Sequence, residues 1–294
     1  MPARLTASCL AAGLLLAQAA PAAQAGPVGH AAPAVLAAAH YPGGVQAKGA
    51  AVLDTGTGKL LWSRKLNTER PMGSITKVMT ALVVIRTHDL TRRVKVPAAV
   101  VPYVRKYDAS SAGLHPGDWL TTRELLEALM LPSGCDAAYA LATAYASTRK
   151  AFVAKMNSEA AALHLTHTHF ANYDGLPWPT ETAGYSTPAD LIALGRAAMK
   201  YPTFRSIVDQ RSYRLAASPR HRRYSWRNTN LLLGQYPGTI GVKTGSTRAA
   251  GYCLLFETRR GKAVLIGVVL HSSTSAATAF SDATKILNWG FRHD

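Results

Sequence analysis

Cysteine is scarce in this chain, and that scarcity excludes a disulfide scaffold. The 294 residues contain three cysteines, and one of them, Cys9, lies in an apolar N-terminal segment. We expect Cys135 and Cys253 to be free thiols, with Cys253 serving as a small core residue in an apolar strand. Internal repeats and signs of a second domain are also lacking. With 48% hydrophobic residues, the chain therefore favours one large folded domain.

Acidic residues are also few. The chain has 16 Asp and Glu against 33 Lys and Arg, which gives a formal net charge of +17. Neither a nucleic-acid-binding motif nor interleaved aromatic and basic residues are found, so we expect no nucleic-acid partner. The excess charge is either a solvated basic face or a means of contact with anionic wall polymers or a membrane surface. The basic residues are scattered except for one cluster: Arg220, His221, Arg222, Arg223 and Arg227.

Long apolar runs are lacking except at the N-terminus. Arg4, an apolar run over 9–20 and the small-x-small pattern Ala23-Gln24-Ala25 predict a secretory signal peptide at 1–25. The run is short for a membrane span, and an uncleaved anchor is the alternative. Residues 26–46 are rich in Ala, Pro and Gly and are interpreted as a leader, with the folded domain at 47–294. We therefore expect an exported protein whose mature charge is +16, because the signal segment contributes only Arg4.

The periodicity of the rest of the chain predicts an α+β fold. Strands come first, helices fill the middle, and strands with a last helix return, which favours one sheet built from both ends of the chain with a helical insert. The predicted hairpin strands are 50–54 and 60–62, and the later strands are 238–243, 251–257 and 263–270. Predicted helices begin at Ser74, Thr121, Asp136, Ala151 and Thr187, and a last helix covers 277–289.

Three short motifs carry the chemistry: Ser74 to Lys77, Ser133 to Cys135, and Lys243 to Gly245. Together, Ser-x-x-Lys, a second serine element and Lys-Thr-Gly on a strand are typical of acyl-transfer sites. Residues three apart share a helix face, so the Ser74 hydroxyl can reach the Lys77 amine.

A lysine accepts the serine proton only when it is neutral, and Lys243 is a candidate for the neighbouring cation that favours the neutral form. The backbone N–H groups of Ser74 and Ser246 are the expected oxyanion donors. A second Ser-x-x-Lys at 147–150 lacks a following apolar helix, so Ser74 is favoured as the nucleophile.

With these motifs, the chain resembles the low-molecular-mass penicillin-binding proteins that act as serine-type D-Ala-D-Ala carboxypeptidases. The likeness covers nearly all of 48–292. It implies a β-lactamase/transpeptidase-like fold, in which a five-stranded antiparallel sheet packs with a helical cluster and the active site lies between them. Further segments that match family landmarks are 54–58, 113–118, 172–176, 185–187 and 228–230.

The resemblance also implies roles and partners. Ser74 would be acylated, Lys77 would act as its base, and Ser133 would relay a proton to the leaving D-Ala. The substrate would be a peptidoglycan stem peptide ending in D-Ala-D-Ala, β-lactams would be covalent inhibitors, and no cofactor or metal would be needed. The substrate-binding residues would be Cys135, Lys243, Thr244, Gly245 and Ser246.

One residue departs from the family pattern. The second motif usually ends in Asn, but here it ends in Cys135, and a thiol is a weak hydrogen-bonding group. The Ser-Gly-Cys pattern resembles actinobacterial-type members that favour transpeptidation, and we hypothesise that Cys135 tunes the ratio of transfer to hydrolysis. The alternatives are a tolerated small residue and a reactive thiol, which would need a lowered pKa.

Other functions and sites stay open at this point. A class A β-lactamase would need a Glu for deacylation. Glu181 is the only acid in its stretch of the sequence besides Asp174, and the residues around it do not match those of that class. A catalytically idle wall-binding protein is the second alternative. Arg248 is a candidate for binding a terminal carboxylate. A metal site is disfavoured at His164, His167, His169 and Asp174, since this segment matches an ordinary stretch of the family.

Overall fold

The computed structural model describes residues 41–87 and 89–294. The predicted signal peptide and residues 26–40 of the leader lie outside the described residues. The end of the leader is part of the fold, because Val45 is buried and the Gln46 N–H donates to the Asp282 carboxylate at 2.9 Å. Among the described helices, none has both the length and the apolar character that crossing a bilayer requires.

Strands from both ends of the chain form one five-stranded sheet, as predicted. Its order is β2-β1-β9-β8-β7, every pair is antiparallel, and β7 is an edge strand. Two small two-stranded antiparallel sheets, β3-β4 and β5-β6, lie outside it. The strands are β1 (Gly49–Asp54), β2 (Leu60–Arg64), β3 (Arg93–Lys95), β4 (Trp119–Thr121), β5 (Ser212–Leu215), β6 (Tyr224–Arg227), β7 (Thr239–Thr247), β8 (Gly251–Arg260) and β9 (Ala263–Leu270).

Helices cover both faces of the sheet. Alternation along the strands directs Leu255 and Val268 to the helical cluster, while their neighbours Leu254 and Val269 pack with the C-terminal helix. The sheet is therefore apolar on both sides. The helices are α1 (Lys77–Ile85), α2 (Val100–Lys106), α3 (Thr122–Met130), α4 (Cys135–Ala144), α5 (Arg149–Ala162), α6 (Pro188–Met199), α7 (Pro202–Val208) and α8 (Ala276–His293).

Local signals in the sequence explain where several helices begin. Thr121 and Glu124 form a capping box at the start of α3, in which the Thr121 side chain accepts from the Glu124 N–H and the Glu124 carboxylate accepts from the Thr121 N–H. At the start of α6, Thr187 caps the helix and Pro188 takes the first helical position. These two starts were predicted from the sequence.

The prediction that Ser74 lies in the first turn of an α-helix is corrected by the structure. Ser74 lies in a 3₁₀ turn, Gly73–Thr76, and α1 begins at Lys77. This turn packs closely on β7, since a Cβ on Gly73 would lie 2.8 Å from the Ser246 nitrogen. Strand β7 is also longer than predicted and continues through the third motif to Thr247.

Candidate active site

The three motifs meet in one cleft between the helical cluster and the edge strand β7. Ser74 from the 3₁₀ turn, Ser133 from the α3–α4 connection, and Thr244, Gly245 and Ser246 from β7 line a cavity of about 440 Å³. Elements far apart in sequence thus place two serine side chains and a strand edge around the same space.

Lys77 is buried beneath Ser74 and is hydrogen-bonded to it. Its Nζ donates to Ser74 Oγ at 2.8 Å and to the main-chain oxygen of Asp174 at 2.9 Å, and it lies 3.3 Å from Cys135 Sγ. The Lys77 residue is 0% exposed. Three neighbours therefore fix the amine at the nucleophile, as a base for the serine requires.

Lys243 shares this buried region. Burial lowers the pKa of Lys243 well below its usual range, and the charge of Lys77 lowers it further. Its Nζ donates to the main-chain oxygen of Thr244 at 3.0 Å. Lys243 is thus near Lys77, but burial favours the neutral form of Lys243 over the cation predicted from the sequence.

A strained turn holds Ser133 at the cleft. Ser133 adopts φ of +64°, which is uncommon for a residue with a side chain, and its main-chain oxygen accepts from Ser110 Oγ at 2.6 Å. The Asp136 carboxylate fixes the neighbouring loop by accepting from Ser111 Oγ and the Ala112 N–H. This network keeps the second serine side chain in the same cavity as Ser74.

Cys135 lies below the cleft. It is 0% exposed, and Sγ is 3.3 Å from Lys77 Nζ and 3.6 Å from Ser110 Oγ. Burial raises the pKa of the Cys135 thiol, and the charge of Lys77 only partly opposes this. The thiol therefore stays protonated, which argues against a reactive thiolate. Any effect of Cys135 on substrate would be exerted through Lys77. Both Cys135 and Cys253 are free, as expected.

The outer edge of β7 offers backbone groups to the cleft. Ser246 faces Tyr252 of β8, and Tyr252 uses its N–H and oxygen with Ser273 and Ser272 on its other side. In an antiparallel pair, facing residues exchange both of their hydrogen bonds or neither. The Ser246 N–H therefore points away from β8, towards the open edge, where an oxyanion donor was expected.

Close packing of β7 on the 3₁₀ turn depends on glycine. A Cβ on Gly245 would lie 2.4 Å from the Met72 oxygen and 3.1 Å from the Ser74 nitrogen. A Cβ on Gly175 would lie 2.0 Å from the Gly73 oxygen. The turn that carries the nucleophile is thus held between two glycine-dependent contacts.

Sequence reasoning missed two residues that support Lys77. Asp174 is 0% exposed, and its carboxylate accepts from the Tyr103 hydroxyl at 2.5 Å, while its main-chain oxygen accepts from Lys77. The Trp178 Nε1–H donates to the same hydroxyl at 3.2 Å. Burial raises the pKa of Asp174, and the charge of Lys77 opposes this. The landmark 172–176 signalled this segment, but the partner Tyr103 had no signal in the sequence.

Other candidates lie elsewhere and have other partners. Arg248 pairs with Glu181 at 2.8 Å on the surface, so these two candidates engage each other. His167 Nδ1 lies 3.2 Å from Glu69 Oε1, and His169 packs on Tyr185.

The second Ser-x-x-Lys is exposed. Ser147 and Lys150 both lie on the surface. This setting offers no buried base comparable with Lys77.

The site has a serine hydrogen-bonded to a buried lysine, a second serine on the same cleft and an open strand edge. This arrangement is typical of the serine enzymes that form acyl intermediates. The family model for D-alanyl-D-alanine carboxypeptidases matches residues 36–274, and the chain belongs to this family.

Known proteins are similar to this one over most of its length. It is 43% identical to the D-alanyl-D-alanine carboxypeptidase of Streptomyces sp. (strain K15), over 84% of this chain and 88% of that protein. It is 34% identical to D-alanyl-D-alanine carboxypeptidase DacB2 of Mycobacterium tuberculosis, over 82% and 80%. The crystal structure of the Streptomyces K15 DD-transpeptidase superposes with a TM-score of 0.79 at 45% identity, over 84% of this chain and 98% of that one. The predicted transpeptidase-like fold is confirmed.

Proposed function

We propose that this protein is an exported serine acyltransferase that removes the terminal D-Ala from peptidoglycan stem peptides through an acyl-Ser74 intermediate. The observation that carries the proposal is the 2.8 Å hydrogen bond between Ser74 Oγ and the fully buried Lys77 Nζ, at a cleft bounded by an open strand edge. The same serine would be acylated by penicillin.

The chemistry follows from the positions of four residues. Lys77 acts as the base and takes the Ser74 proton as Oγ attacks the carbonyl carbon of the penultimate D-Ala, and the N–H groups of Ser74 and Ser246 stabilise the oxyanion. The proton passes through Ser133 to the nitrogen of the leaving D-Ala as the peptide bond breaks. Water then releases the acyl group as a carboxylic acid, or an amine takes it to form a new peptide bond. Both outcomes use the same intermediate.

Substrate binding is assigned to the edge of β7. An extended peptide can pair with an unpaired strand edge through main-chain hydrogen bonds. Lys243 and Thr244 would hold the carboxylate side of this peptide, and Thr244 Oγ1 is positioned by a 2.6 Å hydrogen bond to Thr229 Oγ1.

The proposal that the protein is exported rests on the N-terminal pattern at 1–25. The proposal that it contacts anionic wall polymers or a membrane surface rests on the mature charge of +16.

The two alternatives have less support. A class A β-lactamase deacylates with a Glu, whereas Glu181 pairs with Arg248 on the surface. We therefore expect a penicillin adduct that persists. Burying the amine of a lysine costs free energy. A wall-binding protein without catalytic activity would have no need to hold a buried lysine against a serine.

Intact mass after brief exposure to benzylpenicillin, followed over hours, tests the proposal. The wild type is expected to gain one persistent adduct, and Ser74→Ala is expected to gain none. Ser147→Ala is the matched control, because it removes the serine of the other Ser-x-x-Lys, and it should be acylated like the wild type. Rapid loss of the adduct with drug turnover would indicate a β-lactamase. A wild type without an adduct would contradict the acyl-enzyme.

A further inference from the structure

A second cavity, which shares no lining residue with the catalytic cleft, lies between the β3-β4 sheet and the loop that joins β5 to β6. Its volume is about 800 Å³, and Arg93, Trp119, Arg220 and Arg222 line it. We name it the Trp119 groove. Trp119 is 42% exposed, which is unusual for so large an apolar side chain.

Main-chain contacts build this groove. The Trp119 N–H donates to the Arg220 oxygen at 2.8 Å, which ties the β5-β6 loop to β4. The Asp118 carboxylate accepts from the Arg222 N–H at 3.0 Å and from the Tyr224 hydroxyl at 2.6 Å. Asp118, the acid among the lining residues, is thus occupied in holding the loop, and these bonds lower its pKa. These hydrogen bonds hold the main chain on both sides of the groove.

The arginine side chains of the groove are exposed, and the charge of Arg222 contributes to the lowered pKa of Asp118 in the same lining. Within 41–87 and 89–294, the guanidinium groups of Arg93, Arg220 and Arg222 make neither an ion pair nor a side-chain hydrogen bond, and all three residues are exposed. A smaller cavity of about 200 Å³ shares Arg93 and Trp119 and adds Arg92 and Lys95. The basic surface therefore continues on both sides of the indole.

We propose that the Trp119 groove binds a glycosylated phosphodiester polymer. Guanidinium groups match phosphate oxygens with paired hydrogen bonds, and the flat indole offers an apolar face for a sugar ring. An open groove with one exposed apolar side chain fits a chain better than a flat lipid surface, which would need several exposed apolar side chains. The choice of a saccharide polymer over a nucleic acid rests on the proposed function at the cell wall.

Binding is measured with glycosylated poly(glycerol phosphate) as the probe, beside the unglycosylated polymer, neutral dextran, phosphatidylglycerol vesicles and single-stranded DNA. The triple variant Arg93→Gln, Arg220→Gln, Arg222→Gln is expected to lose about tenfold or more in affinity for both phosphate polymers. Trp119→Ala is expected to lose about fivefold or more for the glycosylated polymer alone. Dextran is expected not to bind.

A second triple variant supplies the matched control. Arg196→Gln, Lys200→Gln, Lys262→Gln removes three exposed charges outside the groove and is expected to change the affinity by less than about twofold. Equal losses in the two triple variants would assign the binding to diffuse charge and overturn the site. Tighter binding to DNA or to vesicles would overturn the choice of polymer.

Benzylpenicillin acylation separates the two proposals. Each variant should be acylated at the wild-type rate, which shows that the catalytic domain is folded. If the wild type were not acylated, the proposed function would fail while the polymer measurements would still test the groove.

Discussion

A buried carboxyl group on α3 makes the stability of this protein depend on pH. Glu127 is 0% exposed, and Gln210 Nε2 donates to its two carboxylate oxygens at 3.0 and 3.1 Å, while Arg123 lies 3.7 Å away. Burial raises the pKa of Glu127 from 4.5 to about 7, against the opposing effect of these two partners. We expect Glu127→Gln to remove this dependence.

The sign and size follow from proton binding. Between these two pKa values the folded state keeps a proton on Glu127 that the unfolded state has released, so the free energy of unfolding falls as pH rises. The contribution is fully present below about pH 4.5 and is lost as pH rises through about 7. A shift of this size corresponds to about 3 kcal/mol at most.

Urea unfolding of the wild type and Glu127→Gln at several pH values from about 4.5 to 8 is the assay. The variant's stability relative to the wild type should increase across this range by up to about 3 kcal/mol. Subtracting the two curves removes the effect of other buried carboxyl groups, such as Glu257. Asp209→Asn makes the equivalent acid-to-amide change at an exposed side chain and should give a nearly constant difference. A constant or decreasing difference for Glu127→Gln would refute the reasoning.

Three further predictions concern the catalytic cleft. Lys77→Gln is expected to slow acylation of Ser74 by benzylpenicillin by about 10²- to 10⁴-fold, measured by quenched-flow mass spectrometry, and a loss below about tenfold would contradict its role as the base. Cys135→Asn is expected to change the ratio of acyl transfer to hydrolysis, measured with a D-Ala-D-Ala peptide and an added amine, and an unchanged ratio would end that hypothesis. Tyr103→Phe removes the hydroxyl that donates to the buried Asp174 carboxylate and is expected to cost about 1–3 kcal/mol in the free energy of unfolding. It should also slow acylation, and wild-type values for both would show that this hydroxyl does not support Lys77.

Much of the fold could be predicted because its signals are local. Short continuous apolar runs predicted β8 and β9, and the Thr121–Glu124 capping box predicted the start of α3. Boundaries were less accurate where polar motif residues continue an element. Strand β7 runs on through Ser246, since its backbone pairs with β8 whatever its side chains are.

The nucleophile could be chosen between two Ser-x-x-Lys patterns by a local feature, the apolar helix that follows Ser74. Its 3₁₀ turn could not be predicted, because that geometry depends on contacts with Gly245 and Gly175, which lie far away in sequence. Likewise, the mutual pairing of Arg248 with Glu181 joins segments that no local pattern relates.

The sequence by itself determined the residue types of the site, their order and the elements that carry them, because spacing and periodicity act over a few neighbours. Only the tertiary structure showed that Lys77 is held by the main-chain oxygen of Asp174, 97 residues away, and that Cys135 lies beneath the cleft with a raised pKa. It also showed that the Trp119 groove lies between the β3-β4 sheet and the β5-β6 loop and presents exposed arginines that make no ion pair within the described residues. Burial and charge proximity arise from packing between distant segments, and proton affinity at the site depends on both.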